Sequence, residues 1–391
     1  MYDLGIIGSG PAGLEASLYA RKNNLSCALI EKDLLGGLCF NRGCIPTKLY
    51  IHRLKQARKC GKALSLKELY AEKERFLSSW REVLFKFLRQ QKVDVFFSQA
   101  KILDNHTLEL KDGKKLEARY ILVCTGSIPR PLPHIERKFY FPEDIFSLES
   151  IGDNILIIGA GATGLEIATI LTLLGKRVTV IEKEPQILPG IDNSVARRIA
   201  VFLRKRGMNI ITSHSLKAEK LKSYDDIFLC TGRIPQRIGA EEFLEAGNIF
   251  LCGDAKGDNF FAYTASWEAR FVIDRILGKE PRNIANRLYS VFLELPLSWT
   301  KSDYAGECEQ KTIPLSSNPL SFFYDSHEGF IKLKIDSRTH RLKEGYVFSE
   351  FSWEIIHFLS LVVSLELELN FFKDFLFFHP SFSESLKVLG D

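Results

Sequence analysis

The sequence predicts an α/β fold in which one strand–turn–helix–strand unit occurs twice. Three observations carry this. Residues 3–33 run from an apolar strand at Leu4 to Ile7 through Gly8-Ser9-Gly10-Pro11-Ala12-Gly13 and a helical stretch to Ala28-Leu29-Ile30-Glu31. Residues 154–184 repeat the pattern, with Ile155 to Ile158, Gly159-Ala160-Gly161-Ala162-Thr163-Gly164, and Val178-Thr179-Val180-Ile181-Glu182. In each copy the first Gly and the final Glu stand 23 apart (31 less 8, 182 less 159). Finally, each copy is closed by a buried-type apolar strand ending in Thr-Gly: Tyr120 to Thr125-Gly126 and Asp226 to Thr231-Gly232.

The spacing has a chemical reason. The first Gly makes the tight turn, the second lets backbone approach a pyrophosphate, and the third packs helix on strand. The helix N-terminus then offers its free N–H groups to the phosphates. Glu31 and Glu182, at the tips of the next strands, suit a ribose 2′-hydroxyl and would repel a 2′-phosphate, which favours FAD and NAD over NADP. A single glycine-rich turn is commonplace; two copies in the same context, each with its acid, define two Rossmann-like dinucleotide-binding units. Strands ending in Thr-Gly agree with parallel sheets, whose ligands sit at strand C-termini. A third such strand, Ile249 to Cys252, ends in Gly253-Asp254.

With 391 residues, 46% of them hydrophobic, the chain can bury several cores. A net charge of +5 without any basic run interleaved with aromatics excludes a nucleic-acid surface. The apolar strand beginning just after Met1 leaves no room for a signal or transit peptide, so a cytoplasmic location is expected. The Phe-rich stretch from Ile355 to Phe378 is interrupted by Glu366, Glu368, Lys373 and Asp374 before ~20 apolar residues accumulate, so buried helix is expected there, with no membrane span. The eight cysteines are scattered and do not form a secreted disulfide framework.

Cys39 and Cys44 are the suggestive pair, in Gly36-Gly37-Leu38-Cys39-Phe40-Asn41-Arg42-Gly43-Cys44-Ile45-Pro46-Thr47-Lys48. In a regular helix five residues rise roughly 7.5 Å, past the ~7 Å limit for a bridge, so bridging requires a distorted turn, which Asn41 and Gly43 permit. Pro46 suits the first turn of a following helix. Cys44 near that N-terminus is expected to have a lowered thiol pKa, with help from Lys48. Two structural cysteines or half of a zinc site are the alternatives. Zinc would need further ligands, and neither a second Cys-x-x-Cys nor a Cys/His cluster supplies them, so no metal is expected. A persistent cytoplasmic disulfide is normally catalytic, which makes a cycling dithiol the natural interpretation.

These features resemble the pyridine nucleotide-disulfide oxidoreductases, among them dihydrolipoamide dehydrogenase, glutathione reductase and mercuric reductase. The likeness spans nearly the whole chain and includes His379-Pro380-Ser381-Phe382-Ser383-Glu384 near the C-terminus. The resemblance implies that Gly8, Gly10, Gly13, Glu31, Gly37, Lys48, Thr125, Gly126, Asp254 and Ala262 hold FAD, with Asp254 on the ribityl chain. It implies that Gly159, Gly161, Gly164, Glu182 and Gly232 serve NAD, and that Lys48 pairs with Glu166 beside the flavin. Cys39 would exchange with substrate while Cys44 faces the flavin. His379, oriented by Glu384, would move the thiol proton in the active site of the other subunit of a homodimer. The implied domains are 1–148 (FAD, with the redox-active disulfide), 149–238 (a shortened NAD domain), 239–284 (return to the FAD domain) and 285–391 (a C-terminal α+β dimerisation domain), the last with strands near Phe330 to Ile335 and a helix from Ser352.

The chain departs from the family between Ile210 and Asp226, where a small β-meander is missing, and between Gly232 and Gly247, which is trimmed. Leu38 stands where a Thr usually precedes the first cysteine, and Tyr263 where dehydrogenases often carry His. The expected activity is oxidation of dihydrolipoamide, free or on a lipoyl domain, with NAD. Glutathione reductase is disfavoured because no basic pocket follows Glu182, and mercuric reductase because Lys387 to Asp391 lacks a cysteine pair. A degenerate FAD-binding paralogue with a regulatory or structural role is the alternative of another class.

Overall fold

A computed structural model describes residues 1–132, 138–214, 218–258, 260–280, 287–324 and 326–389. The expected boundary at 284/285, part of the connector after Ile210, and the last two residues of the tail lie outside these.

The chain begins β1 (Tyr2–Ile7), α1 (Pro11–Lys22), β2 (Cys27–Glu31), α2 (Gly37–Arg42), α3 (Cys44–Lys59) and α4 (Leu66–Gln90). Strands β3 (Asp94–Phe97), β4 (Ala100–Ile102), β5 (Thr107–Leu110), β6 (Lys115–Val123) and β7 (Ser127–Pro129) follow. The repeat comprises β8 (Asn154–Ile158), α5 (Ala162–Leu173), β9 (Arg177–Ile181), α6 (Asn193–Lys205), β10 (Asn209–Ile211) and β11 (Asp226–Leu229). Then come β12 (Arg233–Pro235), β13 (Ile249–Leu251), α7 (Ala262–Ile276), β14 (Arg287–Val291), β15 (Leu297–Lys301), β16 (Cys308–Pro314), α8 (Leu320–Phe323), β17 (Phe330–Asp336), β18 (Leu342–Phe348) and α9 (Ser352–Ser364).

Two compact units result. The first contains Met1–Arg53, Lys62–Ile151 and Leu229–Arg282; the second contains Leu54–Gly61, Gly152–Phe228 and Asn283–Asp391. The return to the first unit therefore comes at Leu229 rather than at 239. The cause is a ribbon the sequence did not announce: β12 pairs antiparallel with β7, Pro235 opposite Ser127 and Arg233 opposite Pro129.

In the first unit the sheet runs β3-β2-β1-β6-β5-β4, with β13 also on β6. Strands β2, β1, β6 and β13 are parallel and in register, so that Ile7, Val123 and Leu251 lie level. Burial on both faces explains their apolar sequences; Leu4, Ile6, Leu29 and Leu122 are fully enclosed. Pro11 opens α1, where its missing N–H costs nothing. A Ser65/Glu68 capping box starts the long α4.

The second unit contains the sheet β10-β9-β8-β11 and the antiparallel sheet β14-β15-β18-β17-β16. Between β10 and β11 the described residues form a 3-10 helix, Ala218–Ser223, and no strand. Strand β17 and helix α9 stand where Phe330 to Ile335 and Ser352 predicted them. The helix is shorter than the Phe-rich stretch implied: it stops at Ser364, Glu366 adopts φ +49°, and Phe371, Leu376 and Phe378 are exposed. Glu366 and Glu368 draw the chain out to Arg341, which bonds the first carboxylate and bridges the second residue's backbone. Among the described residues no helix is long and apolar enough to cross a membrane.

Candidate active site

The two glycine loops divide their labour as the spacing predicts. Gly8 has φ +99°, and a Cβ there would stand 2.4 Å from the Cys124 carbonyl oxygen. A Cβ on Gly13 would come within 1.8 Å of the Gly8 carbonyl oxygen, so the third glycine is fixed by packing. A Cβ on Gly10 would meet nothing within 4 Å, and the same is true of Gly161. Each is the N-cap of its helix, with no side chain bound to the first-turn N–H groups. The open space and the free donors fit a pyrophosphate at both loops. Gly159, like Gly8, has positive φ, at +106°, and Gly164 is buried in α5.

The two acids repeat each other as well. Glu31 Oε2 accepts the Ser9 N–H at 2.8 Å and Oε1 that of Asp33 at 2.8 Å. Glu182 Oε2 accepts the Ala160 N–H at 2.7 Å and Oε1 that of Glu184 at 3.0 Å. Both carboxylates thus hold their own glycine loops in shape, a task beyond the ribose contact expected of them. Ser9, overlooked in the sequence, is fully buried, donates its hydroxyl to Glu31 at 2.6 Å and accepts the Gly36 N–H at 3.2 Å. Its position inside the glycine motif was the available signal.

Gly36 and Gly37 bring the cysteine segment onto this loop. Gly37, at φ +61°, approaches so closely that a Cβ would stand 2.7 Å from the Gly10 Cα. Cys39 lies in α2, Gly43 ends that helix at φ −140°, ψ −118°, and Cys44 begins α3. The break is Gly43's alone. Asn41 is helical and buried, its amide donating to the Leu35 and Gly37 carbonyls at 3.0 and 2.9 Å while its oxygen accepts from Arg81 at 2.9 Å. It braces the segment rather than distorting it.

Both cysteines are thiols, and their side chains are hydrogen-bonded to each other. The bond from Cys44 holds the Cys39 thiol below its ordinary pKa. Cys44 is pushed well above its own, first by that bond to Cys39 and then by burial. The direction for Cys44 is opposite to the one expected of a helix terminus: the contact with Cys39 and burial outweigh Lys48. Lys48, one turn into α3, is exposed.

Beyond the sheet's C-terminal edge lie Thr125, Gly126 and Asp254. The Thr125 hydroxyl donates to the Gln236 carbonyl, and Gly126 (φ +73°) accepts the Gln236 N–H at 2.9 Å. Gly232, at φ +97°, accepts the Arg130 N–H at 2.9 Å in the same ribbon and falls within the first unit. Asp254 Oδ2 accepts from Ser127 at 2.6 Å, and burial raises its carboxyl pKa. Ala262 is the first residue of α7.

In the second unit Glu166 accepts the Phe292 N–H at 3.0 Å. His379 Nδ1 lies 2.9 Å from Glu384 Oε2, and the bond to His379 lowers the Glu384 carboxyl pKa. Glu384 is further held by the Ser381 N–H at 3.2 Å. The carboxylate side chain is 14% exposed and the imidazole 72%, so the ring is oriented from beneath and presented outward. Among the described residues no group of three His, Cys, Asp or Glu could hold a metal.

Residues 2–252 match the family described as pyridine nucleotide-disulphide oxidoreductase, and residues 301–389 match its dimerisation domain. The chain belongs to the pyridine nucleotide-disulfide oxidoreductases, enzymes that work with FAD and a nicotinamide dinucleotide around a redox-active cysteine pair. It is 27% identical to the probable pyridine nucleotide-disulfide oxidoreductase RclA of Escherichia coli K12, over 99% of this chain and 98% of that protein. The dihydrolipoyl dehydrogenase of Mycoplasma pneumoniae is also 27% identical, over 98% of this chain and 97% of that enzyme. Among solved structures, the HOCl-induced flavoprotein disulfide reductase RclA from Escherichia coli superposes with a TM-score of 0.89 at 26% identity, covering 100% of this chain and 99% of that one.

Proposed function

We propose that the chain oxidises a dihydrolipoamide-type dithiol, free or carried on a lipoyl domain, with NAD⁺ as acceptor, yielding the cyclic disulfide, NADH and a proton. The observation that carries this is the hydrogen-bonded Cys39–Cys44 pair across the Gly43 break, on a segment seated against the Gly10 loop.

In the oxidised enzyme the two cysteines form a disulfide. A substrate thiolate attacks Cys39, Cys44 departs as thiolate, and the second substrate sulfur then displaces Cys39, leaving the enzyme dithiol. His379 takes the substrate thiol proton and Glu384 stabilises the resulting imidazolium; the outward-facing ring supports a homodimer in which each His379 serves the other subunit. Bound FAD supplies the two-electron chemistry between dithiol and nicotinamide. Gly8, Gly10, Gly13, Glu31, Gly37, Thr125, Gly126, Asp254 and Ala262 would hold it, with Lys48 beside it. Gly159, Gly161, Gly164 and Glu182 hold NAD, the Glu182 carboxylate disfavouring a 2′-phosphate.

Purified protein tests this directly. Bound FAD together with dihydrolipoamide-dependent NADH formation supports it; bound FAD with no turnover of dithiol or disulfide in either direction sinks it and favours the regulatory paralogue. A second reading, NADH-driven reduction of another disulfide, draws support from the likeness to the Escherichia coli disulfide reductase and from Leu38 and Tyr263, exposed departures from the dehydrogenase pattern. A panel of lipoamide, glutathione disulfide and mercuric ion with NADH and NADPH separates the two.

A further inference from the structure

Arg233, Ser127 and Asp254 come from three separate segments of the first unit and form one chain of hydrogen bonds. Arg233 Nε donates to Ser127 Oγ at 2.7 Å, and its Nη2 donates to the Ser127 carbonyl at 2.8 Å. Ser127 Oγ donates in turn to Asp254 Oδ2 at 2.6 Å. The direction is fixed by chemistry: a guanidinium has donors only, so the serine oxygen can only accept from it, and the hydroxyl proton is left for the carboxylate. The ribbon of β7 and β12 supplies the geometry, since it sets Pro235 opposite Ser127 and carries Arg233 two residues before. Arg233 is anchored on its other side by Glu143 at 3.4 Å, both side chains being less than one-fifth exposed.

The end of this chain points to the ligand edge of the sheet. Ile7, Val123 and Leu251 are level in adjacent parallel strands, so Gly10, Thr125 and Asp254 all follow the same C-terminal edge, where such sheets bind ligands. We propose that Arg233 and Ser127 are positioning residues that hold the Asp254 carboxylate in place for FAD, so that the second Thr-Gly repeat governs retention of the flavin nucleotide along with the first. The inference rests on Asp254 binding FAD. Burial favours the neutral acid at this position, and Ser127 and Arg233 oppose it, which keeps the carboxylate available as an acceptor.

The test is FAD affinity of the apoprotein, read by quenching of flavin fluorescence from pH 5 to 9, with thermal melting of each apoprotein as the check on folding. Ser127→Ala and Arg233→Gln should each weaken FAD about tenfold, the scale of a lost charge-assisted bond. Ser127→Thr, which keeps the hydroxyl, should bind like wild type. Arg233→Gln should also move acid-side release of FAD to higher pH, because Asp254 protonates sooner without its cation. In an Asp254→Asn background neither change should weaken binding further. Additive losses in that background, or unchanged affinity in Ser127→Ala while Asp254→Asn binds poorly, would refute the relay and leave the Asp254 assignment standing. Wild-type affinity in Asp254→Asn would remove that assignment, and the relay with it.

Discussion

Cys39 and Cys44 stand on either side of a one-residue break in the helix at Gly43, and each shifts the other's thiol pKa. The bond makes Cys39 the readier thiolate and keeps Cys44 protonated. A thiolate is the reactive form, so alkylation of the reduced protein by iodoacetamide should fall on Cys39 first and begin below the pH at which ordinary thiols react. Cys44→Ala removes the donor and should shift the Cys39 profile to higher pH, as followed by mass spectrometry of the labelled peptides. Cys44→Ser should retain FAD and lose dithiol turnover altogether. Preferential labelling of Cys44, or turnover surviving in Cys44→Ser, contradicts the assigned roles.

Gly10 and Gly13 are three residues apart yet should fail in opposite ways. Gly10→Ala adds a methyl group to open space at φ −68°, so melting should stay near wild type while FAD affinity drops at least about tenfold, the methyl occupying the ground a phosphate needs. Gly13→Ala would drive a carbon to 1.8 Å from a backbone oxygen and should cost folding itself. Melting temperature and flavin content, measured on the same preparations, distinguish them. Full flavin in Gly10→Ala would mean that the loop holds no pyrophosphate.

The glycine loops, the parallel strands and the His379–Glu384 pair were legible because each is local: its residues lie within one strand-turn-helix unit or one short peptide. What escaped was set by partners distant in sequence. Pairing of β7 with β12 joins residues about a hundred apart and moves Gly232 and Arg233 into the first unit, which no periodicity announces. Asn41 read as a loop-former because such residues favour turns, yet Arg81, from the middle of α4, gives its side chain a structural task inside a helix. The direction of the Cys44 shift escaped as well: a helix terminus and a lysine can be read from sequence, whereas contact between two sulfurs depends on the angle at which Gly43 turns the chain.

Glu182 shapes the second glycine loop, and the proposed NAD site would give it a ribose to hold as well. Glu182→Ala should weaken NADH by roughly ten- to a hundredfold, the cost of losing hydrogen bonds to a charged acceptor, and weaken NADPH much less, since repulsion of its 2′-phosphate is relieved in the same step. The ratio of kcat/KM for the two cofactors is the quantity to measure. Equal loss for both would mean that Glu182 acts only through the Ala160 N–H and has no part in choosing the nucleotide.

His379 is held by Glu384 from the buried side, and the bond between them lowers the Glu384 carboxyl pKa. The carboxylate therefore stays charged to lower pH than a free glutamate and keeps its hold on the ring through the acid range. Glu384→Gln should preserve bound FAD but lower kcat/KM for the dithiol, because the ring loses the carboxylate that orients it. His379→Gln should cost roughly 10²- to 10⁴-fold in dithiol oxidation, the usual contribution of a positioned acid–base group. NADH oxidation by an artificial one-electron acceptor bypasses the disulfide exchange, so it should persist in both variants. A parallel fall in that bypass activity would show that the C-terminal pair supports the fold or the flavin site in place of moving the thiol proton.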